Sequence, residues 1–211
     1  YVHLPWCDKK CPYCDFNITT DSLNDSVKGL FSALKNDLSE SEPLINQRAF
    51  KSIYFGGGTP SKVPTTYIKD FLNFLHIEFN VVSNCEISFE ANPKDLTLDY
   101  IAGLKDSGIN RLSVGIQSFD DKYLCFLGRN HNASDSLRAL KLLSESELTG
   151  TIDLIYGGPN SNSLTLKNDL KIFLNAGINH LSLYQLNIEP NTIFYKKRPL
   201  MPTENEIEKA E

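Results

Sequence analysis

The chain has 211 residues, 41% of them hydrophobic, and a formal charge of −5 from 21 basic and 26 acidic side chains scattered along its length. Such a balance supports a sizeable core but offers no basic stripe for nucleic acid or anionic membrane, and no apolar run approaches the roughly 18 residues of a spanning helix. Five cysteines, three of them crowded together, argue against a disulfide framework and for metal or redox chemistry, and with no signal peptide ahead of the first strand a reducing, cytoplasmic setting is expected.

Short strand-like runs alternate with longer segments of helical apolar spacing. "YVHLP" (1–5) leads to a helix over 23–38, "KSIYF" (51–55) to one over 65–79, and "EISFEA" (86–91) to one over 97–107. "RLSVGIQ" (111–117) leads to a helix over 134–147, "TIDLIY" (151–156) to one over 163–176, and "HLSLYQLNI" (180–188) closes the series. Gly108 and Gly177, in "SGIN" and "AGIN", stand where helix C-terminal glycines belong. The repeated junction predicts successive right-handed βαβ units and a parallel sheet of α/β class. No linker divides the series, so 1–211 reads as one domain. A start at Tyr1 rather than Met, and an end in "PTENEIEKAE", which reads as the first turns of a helix, suggest a piece of a longer protein.

The strands alternate in polarity where buried parallel strands usually read as continuous Val, Ile and Leu. Ile87 and Phe89 oppose Glu86, Ser88 and Glu90; Leu112, Val114 and Ile116 oppose Arg111, Ser113, Gly115 and Gln117. Ile152 and Leu154 oppose Thr151 and Asp153, and Leu181 and Leu183 oppose His180, Ser182 and Tyr184. One face of the sheet is polar. Either that face meets solvent, or six strands form an open, partial barrel whose lumen holds water or a polar ligand; unpaired polar groups buried in a filled barrel would each cost several kcal/mol, about 2 to 7.

Cys7, Cys11 and Cys14 lie within "CDKKCPYC" at Cys-x3-Cys-x2-Cys spacing. A zinc site normally shows four ligands in two pairs, so zinc requires His3 or a distant residue as the fourth. Three soft thiolates also suit a four-iron cluster with one iron left open. Cys85 and Cys125 have no partner at ligand spacing and read as core, whereas His3 and His180 fall on the lumen side.

Cys-x3-Cys-x2-Cys directly after a first strand resembles the signature of radical S-adenosylmethionine (SAM) enzymes. More narrowly, "YVHLPWCDKKCPYCDF", "YFGGGTPS", "SFEANP", "SVGIQSF", "LGRNH" and "IDLIYGGP" resemble the oxygen-independent coproporphyrinogen III oxidase family and, within it, the HemW-type heme chaperones, from Tyr1 to about Thr192. The resemblance implies a partial (β/α)6 TIM-like barrel, followed in the family by a C-terminal domain absent from these residues. It implies a [4Fe-4S] cluster on Cys7, Cys11 and Cys14, with S-adenosylmethionine chelating the fourth iron and being cleaved there by one electron from a reducing donor. It places cofactor contacts at Tyr1, Tyr13, Gly57, Gly58, Thr59, Glu90, Gln117, Arg129 and Asp153. The oxidases are expected to carry a further cysteine two residues beyond the third, where this chain has Phe16, and "CDFN" fits the chaperone branch. That branch implies binding of heme and its transfer to recipient proteins; the oxidase alternative implies decarboxylation of coproporphyrinogen III to protoporphyrinogen IX.

Overall fold

The computed structural model describes residues 1–21, 24–45, 48–159 and 163–203, together with 205 and 207. Six parallel strands, β1 (Val2–Leu4), β2 (Phe50–Gly57), β3 (Val81–Ala91), β4 (Arg111–Gln117), β5 (Thr149–Tyr156) and β6 (His180–Gln185), pair in chain order to form one sheet. The helices between them are α1 (Asn24–Ile45), α2 (Thr65–Glu78), α3 (Leu98–Asp106), α4 (Asp121–Phe126), α5 (Ala133–Glu145) and α6 (Ser163–Asn175), with α7 (Ile193–Lys197) after β6. Strands in chain order with a helical return after each are the expected partial barrel, open between β1 and β6. Among the described residues, no helix is long and apolar enough to cross a membrane.

The alternation read from the sequence is what separates the two faces. Phe55, Ile87, Phe89, Leu112, Val114, Ile116 and Ile152 are buried against the helices. Phe55 meets Phe89 at 5.9 Å and Phe71 of α2 at 6.2 Å between ring centroids, and Phe31 of α1 packs on Phe71 at 5.6 Å. Gly108 and Gly177 close α3 and α6 at φ +99° and +70°, as left-handed C-terminal residues.

Three expectations change, and a fourth lies largely outside the described residues. β6 keeps the inward–outward alternation only at Leu181, and Leu183 is 41% exposed, because β6 is an edge strand with a neighbour on one side alone. Helix α1 runs seven residues beyond the expected end at 38, through Ser39–Glu42 and Pro43 to Ile45; its last turns are mostly exposed, so no buried apolar stripe marks them. Cys125 is exposed rather than core, since Tyr123 and Leu124 take the inward positions of α4; Cys85 is buried as expected. The helical turns expected over 202–211 lie largely outside the described residues.

Phe89 is fully buried at the middle of the sheet. Phe89→Ala is expected to lower stability by about 3–5 kcal/mol, read as a shift of the urea midpoint at unchanged m-value.

Candidate functional site

The cysteine loop is fixed at its root by backbone hydrogen bonds on two sides. Thr19 N–H donates to the Pro5 carbonyl and Cys7 N–H to the Thr19 carbonyl, each at 2.9 Å. From the other side, Gly58 N–H reaches the Leu4 carbonyl at 2.8 Å and Thr59 N–H the Trp6 carbonyl at 2.7 Å. A Cβ on Gly58 would lie 2.6 Å from the Pro5 oxygen and 2.7 Å from the Trp6 oxygen. The glycines of "GGGTP" therefore serve first to let β1 and the cysteine loop lie against the end of β2. Beyond Cys7, "CPYC" closes a turn in which Cys14 N–H donates to the Cys11 carbonyl at 3.1 Å.

The loop covers a cavity of about 310 Å³ at the C-terminal ends of the strands. Cys7, Cys11 and Cys14 line it together with Tyr13, Gly57, Gly58, Thr59, Glu90, Gln117, Arg129 and Asp153, so residues from four strands and three loops converge on one cavity. Tyr1 is not part of that lining. It stacks on Tyr54 at 6.1 Å and its hydroxyl contacts His3 Nδ1 at 3.2 Å, which places it just outside. His3 is held by Asn17 through Nε2, and His180 by Arg111 at the opposite end of the strands, so neither lines the cavity.

Several side chains are held by neighbours that the sequence reading did not select. Tyr54 donates its hydroxyl to Glu90 Oε1 at 2.6 Å, and Ser113 Oγ lies 3.3 Å from both Asp153 oxygens. Both neighbours occupy the polar phase of their strands, so the alternation used for β3 and β4 could have found them. Cys7 Sγ and Thr59 Oγ1 are 3.2 Å apart. Arg129 donates to the Gly115 carbonyl at 3.0 Å and to the Tyr13 hydroxyl at 3.4 Å, with Cys11 Sγ at 3.9 Å.

Burial dominates the electrostatics. It pushes the Glu90 and Asp153 carboxyls up, against hydrogen bonds from Tyr54 and from Ser182 and Ser113, and the Asp153 charge raises Glu90 further. It pushes the Tyr13 phenol up to about 12 despite Arg129, and the Cys7 and Cys14 thiols up as well. Burial alone would pull the Arg129 guanidinium down, but Tyr13 and Cys11 hold it up. The partly desolvated lumen thus presents two carboxyls and a guanidinium to one cavity, groups able to meet either sign of charge.

Of the cavity-lining residues, Gln117 and Arg129 each carry a buried atom, Oε1 and Nε, with no hydrogen-bond partner. Gln117 sits at φ +69°, a left-handed conformation rare for a side chain with a Cβ, at the point where the β4–β5 register shifts. The three thiols share one cavity, yet among the described residues no three His, Cys, Asp or Glu side chains close round a single ion. Three soft thiolate donors lining one cavity suit an iron–sulfur cluster with an open iron.

His131, next to this site, is buried and donates Nε2–H to the Ile116 carbonyl at 3.0 Å; burial, with Arg129 nearby, pulls it down to about 4. In the unfolded chain such a ring titrates at about 6.5, so between those values the unfolded state holds a proton that the folded state lacks. Stability is thus expected to fall as the pH drops from about 6.5 toward 4, and His131→Gln to remove about 1.4 kcal/mol per pH unit of that slope, read from urea midpoints at pH 7 to 4.5.

Residues 1–173 match the Radical SAM superfamily. The heme chaperone HemW of Buchnera aphidicola subsp. Acyrthosiphon pisum is 39% identical over 211 residues, covering 98% of this chain and 55% of the relative. That of Escherichia coli K12 is 36% identical over 214 residues, again covering 98% and 55%. The chain thus spans about half the length of the curated relatives it matches. The solved structure of the coproporphyrinogen III oxidase HemN from Escherichia coli, a radical SAM enzyme, superposes on 100% of this chain and 49% of its own, with a TM-score of 0.87 and 26% identity. The three-cysteine loop over the mouth of a partial barrel and the match across most of the sequence agree: the chain belongs to the radical SAM superfamily, with its likeness in the HemW branch of the HemN-like proteins.

Proposed function

We propose that the chain is the core of a heme chaperone, which binds heme and a [4Fe-4S] cluster with S-adenosylmethionine and passes heme to recipient proteins. The observation that carries this reading is Phe16: it lines the cavity and is 57% exposed, at the position where the oxidases are expected to carry a further cysteine. The identity to HemW chaperones over nearly the whole chain supports it. The oxidase reading is favoured by one observation, the superposition of the whole chain on HemN.

Cys7, Cys11 and Cys14 would hold three irons, with the Thr59 hydroxyl and the Phe16 backbone N–H available to the Cys7 and Cys14 sulfurs. When bound, such a cluster supplies single electrons to S-adenosylmethionine. Glu90 and Asp153, desolvated and facing the lumen, accept hydrogen bonds from an ammonium or from ribose hydroxyls, and a cation beside them relieves their burial. Gln117 Oε1 accepts a further donor, and Arg129 Nε donates toward an anionic group. Tyr13 offers a ring face beside the cysteines, and Gly57 and Gly58 offer backbone close to the ligand. Tyr1 acts from the margin, by packing Tyr54 against Glu90. A reducing electron donor is required for any cleavage of the cosubstrate, and the cytoplasm is the expected setting for half-buried free thiols of this kind.

Reconstituted anaerobically, the protein is expected to bind heme stoichiometrically and to form no protoporphyrinogen from coproporphyrinogen III; turnover overturns the chaperone reading. Cys11→Ala is expected to abolish the cluster's visible absorption and most bound iron, and an unchanged iron content overturns the ligand assignment.

A further inference from the structure

Six residues at the mouth of the barrel close into a hydrogen-bonded ring that none of the cofactor roles uses. One carboxylate oxygen of Asp8, the residue after the first cysteine, accepts Lys62 Nζ at 2.8 Å and Asn130 Nδ2 at 2.7 Å. Lys62 also donates to Asp95 Oδ1 at 2.9 Å, and the other Asp95 oxygen accepts the Ser61 hydroxyl at 2.8 Å. Ser61 Oγ accepts the Asn92 backbone N–H at 3.0 Å, and the Asn92 side-chain amide donates to Asn130 Oδ1 at 3.2 Å, which returns the circuit to Asp8.

Its members come from four separate stretches of chain: the cysteine loop, the turn of 3-10 helix after β2 (Pro60–Lys62), the start of the one after β3 (Pro93–Asp95), and the connection between α4 and α5. Ser61 and Asn92 are buried, and the Lys62 and Asp95 side chains are only 21% and 14% exposed. An isolated surface pair contributes little, but here each polar group has two partners, so removing one opens the whole circuit. Between Cys7 and Cys11 the loop has no regular secondary structure, and Asp8 is the point where the ring takes hold of it.

We infer that this ring is a positioning device: it holds the stretch from Cys7 to Cys11 against three strand-end connections, so that the thiols are presented before a cluster arrives and retain it afterwards. The inference rests on the assignment of Cys7, Cys11 and Cys14 as cluster ligands. Partners of this kind, which orient ligands without touching the metal, typically change metal affinity by about 10–100-fold when lost.

Lys62→Met and Asn130→Ala open the ring on opposite sides, Lys62→Arg keeps the charge, and Lys69→Met removes an exposed ion pair with Asp106 elsewhere as a control. In the apo-protein, the rate of iodoacetamide alkylation at Cys7 and Cys11, followed by peptide mass spectrometry, is expected to rise in both ring-opening variants. In the reconstituted protein, iron loss to a chelator is expected to quicken about tenfold and the electron paramagnetic resonance signal of the reduced cluster to change shape, with recovery in Lys62→Arg and no effect of Lys69→Met. Wild-type rates in both ring-opening variants overturn the inference, as does acceleration that merely tracks a fall in Tm and is not recovered by Lys62→Arg. If the wild-type protein takes up no iron, the cluster assignment fails by itself, and the alkylation rates still decide whether the ring orders the loop.

Discussion

The contact on which the rest of the molecule depends is the backbone slot occupied by Leu4 to Cys7. Thr19 bonds this short segment from one side, Gly58 and Thr59 from the other, and the Trp6 side chain is buried beside it. The slot exists only because Gly58 lacks a Cβ, which would overlap two carbonyl oxygens. It transfers the position of β2, and through β2 the whole sheet, to a loop that otherwise lacks regular structure. Three free thiols cannot position themselves; here the end of β2 does so through two backbone hydrogen bonds, and Thr19 through two more.

The second constraint is electrostatic. Parallel barrels usually fill their interiors with branched apolar side chains, which is the cheaper solution in desolvation. This chain instead points Glu90, Gln117 and Asp153 inward and leaves them partly satisfied. The apolar side of the same strands, from Phe55 to Ile152, provides the stability that such a lumen lacks. Period-two alternation thus divides the labour within β2 to β5, one side for packing and one for the polar lumen.

That same period explains what could be read in advance. The strands, the open barrel and the convergence of strand-end residues follow from local pattern, because alternate positions of a strand must face opposite ways. Cys125 and Leu183 escaped it: a six-residue helix has too few turns to display a period, and an edge strand is not covered on its outer face. Tyr54 was legible but overlooked, sitting in phase with the polar side of β2. The ring through Asp8 and Asn130 was not legible at all, since the two are 122 residues apart and no local rule relates them. The family resemblance supplied the roles; the distances decide which residues support each other.

The left-handed backbone at Gln117 carries a consequence for how this sequence can change. A residue with a Cβ loses roughly 1–2 kcal/mol in that conformation, and the buried amide oxygen adds an unmet bond to the cost. Glycine at 117 would relieve both penalties. A search for stabilising substitutions, by drift or by engineering, will therefore be drawn to this position, and a gain in melting temperature there would come from released strain and not from better packing.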